Sequence, residues 1–147
     1  VPGYEAPVYI AWAERNRSAS VRIPLYKPGK EVATRMELRF PDATCNPYLA
    51  FSVMLSAGLD GLANNTKLPE EMTMDLYKLS NADRKKLNIQ ALPHDLFEAV
   101  EVAEGSKFLK EALGEDVHGK LIDTKHSEVN KFRLHVSDKD LKEHLIL

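Results

Sequence analysis

The most restrictive feature of the sequence is a stretch of strict alternation that ends at residue 40. Charged and apolar side chains take turns there, in the order Arg35, Met36, Glu37, Leu38, Arg39, Phe40. Successive side chains of an extended strand point to opposite faces, so this order gives one charged face and one apolar face. The stretch therefore predicts a half-buried strand with one side facing water.

A second alternating stretch, residues 20–26, precedes the first along the chain. Between the two lies Pro28-Gly29, which has the chemistry of a type II turn, with proline at the second position and glycine at the third. The two stretches are predicted to form an antiparallel hairpin. Val8–Trp12 is apolar and rich in β-formers, which predicts a further buried strand.

The pattern changes to a helical one at residue 46. Asn46 is a suitable N-cap and Pro47 a suitable first helical residue, and the apolar run that follows predicts a helix buried on most sides. Further helices are predicted at about residues 81–86, 93–103, 106–113, 115–136 and 138–146. The predicted fold class is α+β, with an antiparallel hairpin or small sheet over about residues 8–40 packed on a mainly helical C-terminal region.

Composition excludes several classes of protein. The chain has 147 residues, 44% of them hydrophobic, which suits a single globular domain. Its one cysteine, Cys45, excludes an internal disulfide framework and a cysteine-rich zinc site. No apolar run approaches the ~18 residues of a membrane span. Arg84-Lys85-Lys86 is too short to indicate nucleic-acid binding. We expect a cytoplasmic protein without nucleic-acid or membrane partners.

The charged face of the strand suggests a chemistry. Five of the seven arginines lie before residue 40. Arg35 and Arg39 would lie ~13 Å apart with Glu37 between them, which suits a polyphosphate and its Mg²⁺. Arg22 and Arg17 could join the same face. The alternative is a solvated strand face held by cross-strand ion pairs, and the pattern alone favours that alternative.

Other polar residues indicate less by themselves. Glu5 could be a mobile loop carboxylate, although an ordinary turn residue fits its surroundings better. The five histidines show no spacing typical of paired metal ligands, and Cys45 has no adjacent base that would make it a nucleophile.

Five motifs in order carry a resemblance to a known family. They are Val1-Pro-Gly-Tyr-Glu-Ala-Pro-Val, Asn16-Arg-Ser-Ala-Ser-Val-Arg-Ile-Pro, Thr34-Arg-Met-Glu-Leu-Arg-Phe-Pro-Asp, Asn46-Pro-Tyr-Leu-Ala and Ala57-Gly-Leu-Asp-Gly. Together they resemble the C-terminal part of the catalytic domain of type I glutamine synthetase. After residue 64 the similarity is scattered. The resemblance implies that residues 1–147 are a C-terminal portion of that domain, with the active-site flap and strands in 1–45 and a helical region in 46–147.

The resemblance also implies an activity, the ATP-dependent ligation of ammonium to L-glutamate through a γ-glutamyl phosphate, with Mg²⁺ or Mn²⁺. Family members assemble as dodecamers of two stacked hexameric rings. The roles implied for this chain are metal binding by Glu37, contacts to ATP and the transferred phosphoryl group by Arg17, Arg22 and Arg35, glutamate binding by Arg39, and flap closure with proton abstraction from ammonium by Glu5.

The sequence departs from the family pattern in ways that matter. The family's other metal-binding glutamates and its histidine are missing, so we expect the isolated chain to be inactive. Asp75-Leu-Tyr-Lys-Leu resembles a loop whose tyrosine is adenylylated in some members, but the residues after Tyr77 differ from that loop. Two alternatives stay open: a related ligase that joins glutamate to a polyamine or another amine, and a non-catalytic structural descendant.

Overall fold

The computed structural model describes residues 6–145, and the chain divides into two compact units, Val1–His94 and Asp95–Leu147. The strands are β1 (Tyr9–Ile10), β2 (Trp12–Glu14), β3 (Val21–Ile23), β4 (Glu37–Leu38) and β5 (Gln90–Ala91). The helices are α1 (Pro47–Ala63), α2 (Asn81–Lys86), α3 (Leu96–Glu104), α4 (Lys107–Leu113), α5 (Glu115–Arg133) and α6 (Asp138–His144). Within the described residues, none of the helices has the length and apolar character that crossing a membrane requires.

The antiparallel pairing of the predicted hairpin is confirmed, but its strands are shorter than the two alternating stretches, and a 3₁₀ helix (Glu31–Ala33) precedes β4. Strands β3 and β4 are antiparallel, and Arg22 lies directly opposite Glu37. The turn between them has the predicted type II features: Gly29 has a φ of 78°, and the Lys30 amide donates to the Lys27 carbonyl at 3.0 Å. Glycine suits that position because a positive φ is strained for residues with a Cβ. The α+β fold class is therefore borne out.

Two strand pairings were not predicted. Strand β2 pairs with β3 in parallel, so the three-stranded sheet has the order β2-β3-β4. Only residues 15–20 connect the two parallel strands, whereas such connections usually need about a dozen residues. Strand β1 pairs antiparallel with β5, which is distant in sequence. Both pairings join segments that no local pattern connects.

The first unit has a small buried centre beside the sheet. Leu76, Ala13 and Ala19 have no exposed surface, and the hydroxyl-bearing Ser18 and Ser20 are buried among them. Ser20 satisfies its hydroxyl on the backbone of Ala11, donating to the carbonyl at 3.1 Å and accepting from the amide at 3.2 Å. Leu76 thus anchors the segment that follows α1 to the sheet.

Helix α1 begins as predicted but differs in its burial. Asn46 is the N-cap, and its side chain accepts from the amides of Tyr48 and Leu49. The prediction that this helix is buried on most sides was wrong, because none of its residues is buried. The large apolar residues exposed along it are Tyr48, Phe51, Leu55, Leu59 and Leu62. Apolar composition predicts a preference for burial, whereas burial itself requires an element that packs against the helix.

The second unit is helical, and α4 and α6 start at the predicted caps, whereas α3 starts at Leu96, after the N-cap Asp95, and not at residue 93. Ser106 caps α4, and Ser137 caps α6 through a capping box with Asp140. Helices α3 and α4 pack on α5, with a core formed by Val100, Ile122 and Val129. His118 is buried in α5, and its Nε2 lies 3.0 Å from the Ala103 carbonyl oxygen at the end of α3.

The burial of Leu76 predicts a large effect of truncation. Leu76→Ala should lower the free energy of unfolding by about 3 kcal/mol, because it removes buried apolar surface and leaves a cavity. Leu68→Ala is the matched control, since Leu68 is 74% exposed and its truncation should cost little. Urea denaturation monitored by Trp12 fluorescence measures both variants. Equal losses in the two variants would contradict the assigned core.

Candidate functional site

The first unit contains an open, polar cleft of about 890 Å³. Three segments line it. The turn after β2 supplies Glu14, Arg15, Asn16, Arg17 and Ser18; the β3–β4 hairpin supplies Arg22, Glu37 and Arg39; and a later segment supplies Thr73, Asp75 and Tyr77. Four arginines and three carboxylates therefore face one space, which makes the cleft a candidate site for a charged ligand.

Glu37 lies at the centre of the charges on the hairpin. One oxygen, Oε2, accepts from Arg22 at 2.8 Å to Nε and 2.7 Å to Nη2. The other, Oε1, accepts from Arg35 at 3.1 Å to Nε and 2.7 Å to Nη2. Because strands β3 and β4 place Arg22 opposite Glu37, the register of the hairpin sets the first of these pairs. Glu37 thus holds two guanidinium groups close together on one strand face.

The two arginines also control the charge state of Glu37. Partial desolvation of the carboxyl group raises its pKa, but hydrogen bonds from Arg35 and Arg22, together with their positive charges, lower it by more. The net effect holds the pKa of Glu37 below its ordinary value. The carboxylate is therefore ionised at neutral pH and keeps both guanidinium groups in place.

Arg39 and Arg17 form the other side of the charged cluster. The Arg39 guanidinium donates from Nη1 to the Arg17 carbonyl, which ties the end of β4 to the turn after β2. The Arg17 side chain is exposed, and within residues 6–145 its guanidinium has no hydrogen-bond or ion-pair partner. Within this part of the chain, Arg17 therefore presents an unpaired guanidinium to the cleft, where a phosphate or carboxylate would find a strong donor.

The far wall of the cleft comes from the segment around Tyr77. Its hydroxyl donates to the Ala6 carbonyl at 3.0 Å, and its ring lies 6.3 Å from that of Tyr9. Burial raises the pKa of Tyr77, Asp75 and Tyr9 raise it further, and the charge of Arg39 lowers it. An adenylyl group on this oxygen would displace the bond to Ala6. The residues after Tyr77 disfavour its modification, and the structure does not test this.

The described residues do not assemble a metal site by themselves. Among residues 6–145, no group of three or more His, Cys, Asp or Glu side chains is placed to hold an ion. Mg²⁺ is bound octahedrally by oxygens, and both oxygens of Glu37 are engaged by arginines. The metal-ligand role of Glu37 stays a prediction that the described residues do not complete.

The structure brings together most, but not all, of the predicted site residues. Arg17, Arg22, Glu37 and Arg39 share the cleft. Arg35 reaches Glu37 but lines a separate cavity of about 320 Å³, together with Lys27 and Lys30. Glu5 lies outside the described residues.

Sequence reasoning missed several residues that line the same cleft. They are Glu14, Arg15, Thr73 and Asp75. Arg15 could have been found from its place two residues before Arg17. The other wall lies more than fifty residues further along the chain, so local pattern gives no signal for it.

With this geometry established, comparison with known proteins identifies the family. Residues 1–144 match the family described as "Glutamine synthetase, catalytic domain". The chain belongs to this family, whose members are ligases.

Curated relatives support the assignment. The glutamine synthetase of Methanocaldococcus jannaschii is 44% identical over 146 residues, which are 99% of this chain and 32% of the relative. That of Thermotoga maritima is 43% identical over 147 residues, which are 100% of this chain and 33% of the relative. The chain thus spans about a third of the length of the relatives it matches.

Solved structures agree on the fold. The structure of a GmaS/ADP complex matches with a TM-score of 0.79 and 28% identity, covering 95% of this chain and 30% of that one. The cryo-EM structure of Plasmodium falciparum glutamine synthetase matches with a TM-score of 0.71, covering 97% of this chain and 35% of that one. At 17% identity, the second match shows the fold alone.

The pairing of Glu37 predicts a pH dependence. Since its pKa is lowered in the folded chain, the ion pairs contribute their full stability above the ordinary carboxyl pKa. That stability is lost as the pH falls through the lowered pKa. A ¹³C NMR titration should give Glu37 a midpoint below that of an ordinary glutamate, and Arg22→Gln should raise it. Identical midpoints in the two proteins would refute the pairing.

Proposed function

We propose that this chain supplies the phosphate-binding and glutamate-binding arginines of a glutamate–ammonia ligase. The observation that carries the proposal is the cluster around Glu37. Its carboxylate holds Arg22 and Arg35, and Arg22 shares the cleft with Arg17 and Arg39. Cross-strand ion pairing, the alternative from sequence alone, is present in the structure. The two interpretations are compatible. Glu37 fixes the positions of Arg22 and Arg35, and because it carries one negative charge against their two positive charges, positive charge remains for a ligand.

The chemistry of phosphoryl transfer suits such a cluster. The transferred group carries its charge on oxygens, so catalysis depends on positioning and electrostatic stabilisation more than on covalent help. Guanidinium groups donate paired hydrogen bonds to phosphate oxygens. Glu37 and its partners provide a rigid base, and Arg17 provides a donor that is free within the described residues. Arginines fixed by Glu37, together with the exposed Arg17, support contacts to ATP and to a γ-glutamyl phosphate.

Individual roles are assigned on this basis. Arg17, Arg22 and Arg35 would contact ATP phosphates, with Arg35 also acting on the phosphoryl group in transfer. Arg39 would bind the glutamate substrate, and Glu37 would take part in metal binding when other ligands complete the site. Glu5 would close the site and accept a proton from ammonium. The ADP of the GmaS complex supports nucleotide binding in a similar fold.

The proposed activity is that of a full-length glutamate–ammonia ligase, and the relatives are about three times as long as this chain. Because the chain spans about a third of its relatives and its described residues assemble no metal cluster, we propose that the isolated chain does not turn over. Assembly into two stacked hexameric rings, a cytoplasmic location and the use of Mg²⁺ or Mn²⁺ belong to the same proposal.

A chimera tests the proposal directly. The matching 146 residues of the M. jannaschii relative, 44% identical, would be replaced by this chain. Phosphate release from Mg·ATP should then require both glutamate and ammonium, and the isolated chain should release none. Release that requires a larger amine in place of ammonium would assign the alternative ligase. A folded chimera that releases no phosphate with any amine would support a non-catalytic descendant.

The exposed guanidinium of Arg17 predicts a specific loss in the chimera. Arg17→Gln should lower kcat/KM by about 100-fold, or about 2.7 kcal/mol, as removal of a transition-state donor does elsewhere. Arg133→Gln makes the same chemical change in the second unit, where Arg133 stacks on Phe97, and should leave kcat/KM within about twofold. Equal effects of the two substitutions would contradict the assigned role.

A further inference from the structure

The turn that carries Arg17 is held by one side chain whose hydrogen-bonding capacity is full. Asn16 donates from Nδ2 to the Met72 carbonyl at 2.7 Å and to the Met74 carbonyl at 2.8 Å. Its Oδ1 accepts from the Ser18 amide at 2.9 Å and from the Ser18 hydroxyl at 2.7 Å. An amide offers two donors and two acceptor positions, and all four are used here.

The partners of Asn16 fix the orientation of its amide. Nδ2 faces two carbonyl oxygens and so must be the donor, and Oδ1 faces an N–H and so must be the acceptor. Ser18 extends the network, since its buried hydroxyl accepts from the Leu76 amide at 3.0 Å. Asn16 and Ser18 together connect the turn after β2 to the backbone of residues 72–76.

This network explains how a short connection can join parallel strands. Because β2 and β3 are parallel, residues 15–20 must carry the chain from the end of β2 back to the level of its start, and Arg15 adopts a φ of 62° in this connection. A non-glycine residue at positive φ is unfavourable unless its surroundings hold it there. The ties from Asn16 and Ser18 to residues 72–76 provide that restraint on both sides of Arg17.

The same turn sets the place of two cleft arginines. Arg17 follows Asn16 directly, and its carbonyl accepts from Arg39. A shift of the turn would therefore move the Arg17 guanidinium and remove the anchor of Arg39 at once. Segment 73–77 lines the cleft opposite, so one amide connects both walls.

We propose that Asn16 is a positioning residue that holds Arg17 and Arg39 in register with the opposite wall of the cleft. The identity of the ligand in this inference rests on the proposed function, whereas the hydrogen bonds of Asn16 are observed independently of it. Asn16 lines the cleft, but its amide uses all four hydrogen-bonding positions within the protein and therefore acts through the backbone of the turn. Loss of its ties should weaken anion binding without removing any positive charge from the cleft.

Asn16→Asp is isosteric and replaces the donor end with an oxygen, but it also adds a negative charge to the lining of the cleft, so the order parameter and the neutral Ser18→Ala variant separate positioning from charge repulsion. The carboxylate keeps an acceptor for Ser18 but places an oxygen against the carbonyls of Met72 and Met74. Ser18→Ala is a second variant that breaks the tie to Leu76 instead. Trp12→Phe is the control, since it removes the bond from Nε1 to the Pro69 carbonyl at 2.8 Å and leaves the turn intact.

The experiment measures two quantities on the full 147-residue chain: the affinity for Mg·ATP, and the ¹⁵N order parameter of the Arg17 backbone amide. We expect affinity to fall at least about tenfold in N16D, with a smaller fall in S18A, while W12F stays within about twofold. The order parameter should fall in N16D and S18A only. A folded N16D protein that keeps both quantities would overturn the inference.

The two proposals fail separately. If the wild-type chain does not bind Mg·ATP, the nucleotide role of the cleft fails in this chain, and the order parameters still decide the positioning claim. If N16D does not fold, S18A decides it by the same measurements. Equal losses of affinity and order in S18A and W12F would mean that Asn16 and Ser18 support the fold in general, which contradicts a positioning role.

Discussion

The site depends on one carboxylate that is shared between two arginines. Four guanidinium groups line one cleft and repel one another. Glu37 offsets part of this charge, using one oxygen for Arg22, which is one of the four, and the other for Arg35, which lines the neighbouring cavity. Each pair is partly exposed, so its contribution to global stability is small. The ion pairing matters for geometry, because it fixes the positions of the Arg22 and Arg35 guanidinium groups. The two positive charges exceed the one negative charge of Glu37, so positive charge remains for a ligand.

The second constraint is the connection between β2 and β3. A parallel pair joined only by residues 15–20 is unusual, and the chain makes it possible by tying that turn to a segment more than fifty residues later. The consequence for function is that Arg17 and the wall carrying Tyr77 belong to one hydrogen-bonded body. Binding at the cleft therefore acts on both walls, and Leu76 anchors that body to the buried centre of the unit.

Local features of the fold were predictable, and distant ones were not. The hairpin followed from alternation and from Pro28-Gly29, and Asn46 and Ser106 marked helix starts because capping is a local interaction. The parallel pairing and the ties from Asn16 join distant backbone carbonyls that carry no sequence signature. The resemblance to the family indicated roles for the arginines, whereas the role proposed for Asn16 follows from its hydrogen-bond partners in the structure. For α1, composition indicated burial that the structure does not show.

On this proposal, the arginine cluster around Glu37 binds the polyphosphate of Mg·ATP. The most direct measurement is a ³¹P NMR titration of Mg·ATP with the 147-residue chain at neutral pH. We expect saturable shifts of the β- and γ-phosphate resonances that exceed those of the α-phosphate and shrink at high salt, because the contacts are charge-assisted. Unchanged resonances at saturating protein concentration would contradict it, since the exposed guanidinium of Arg17 would then have no phosphate partner.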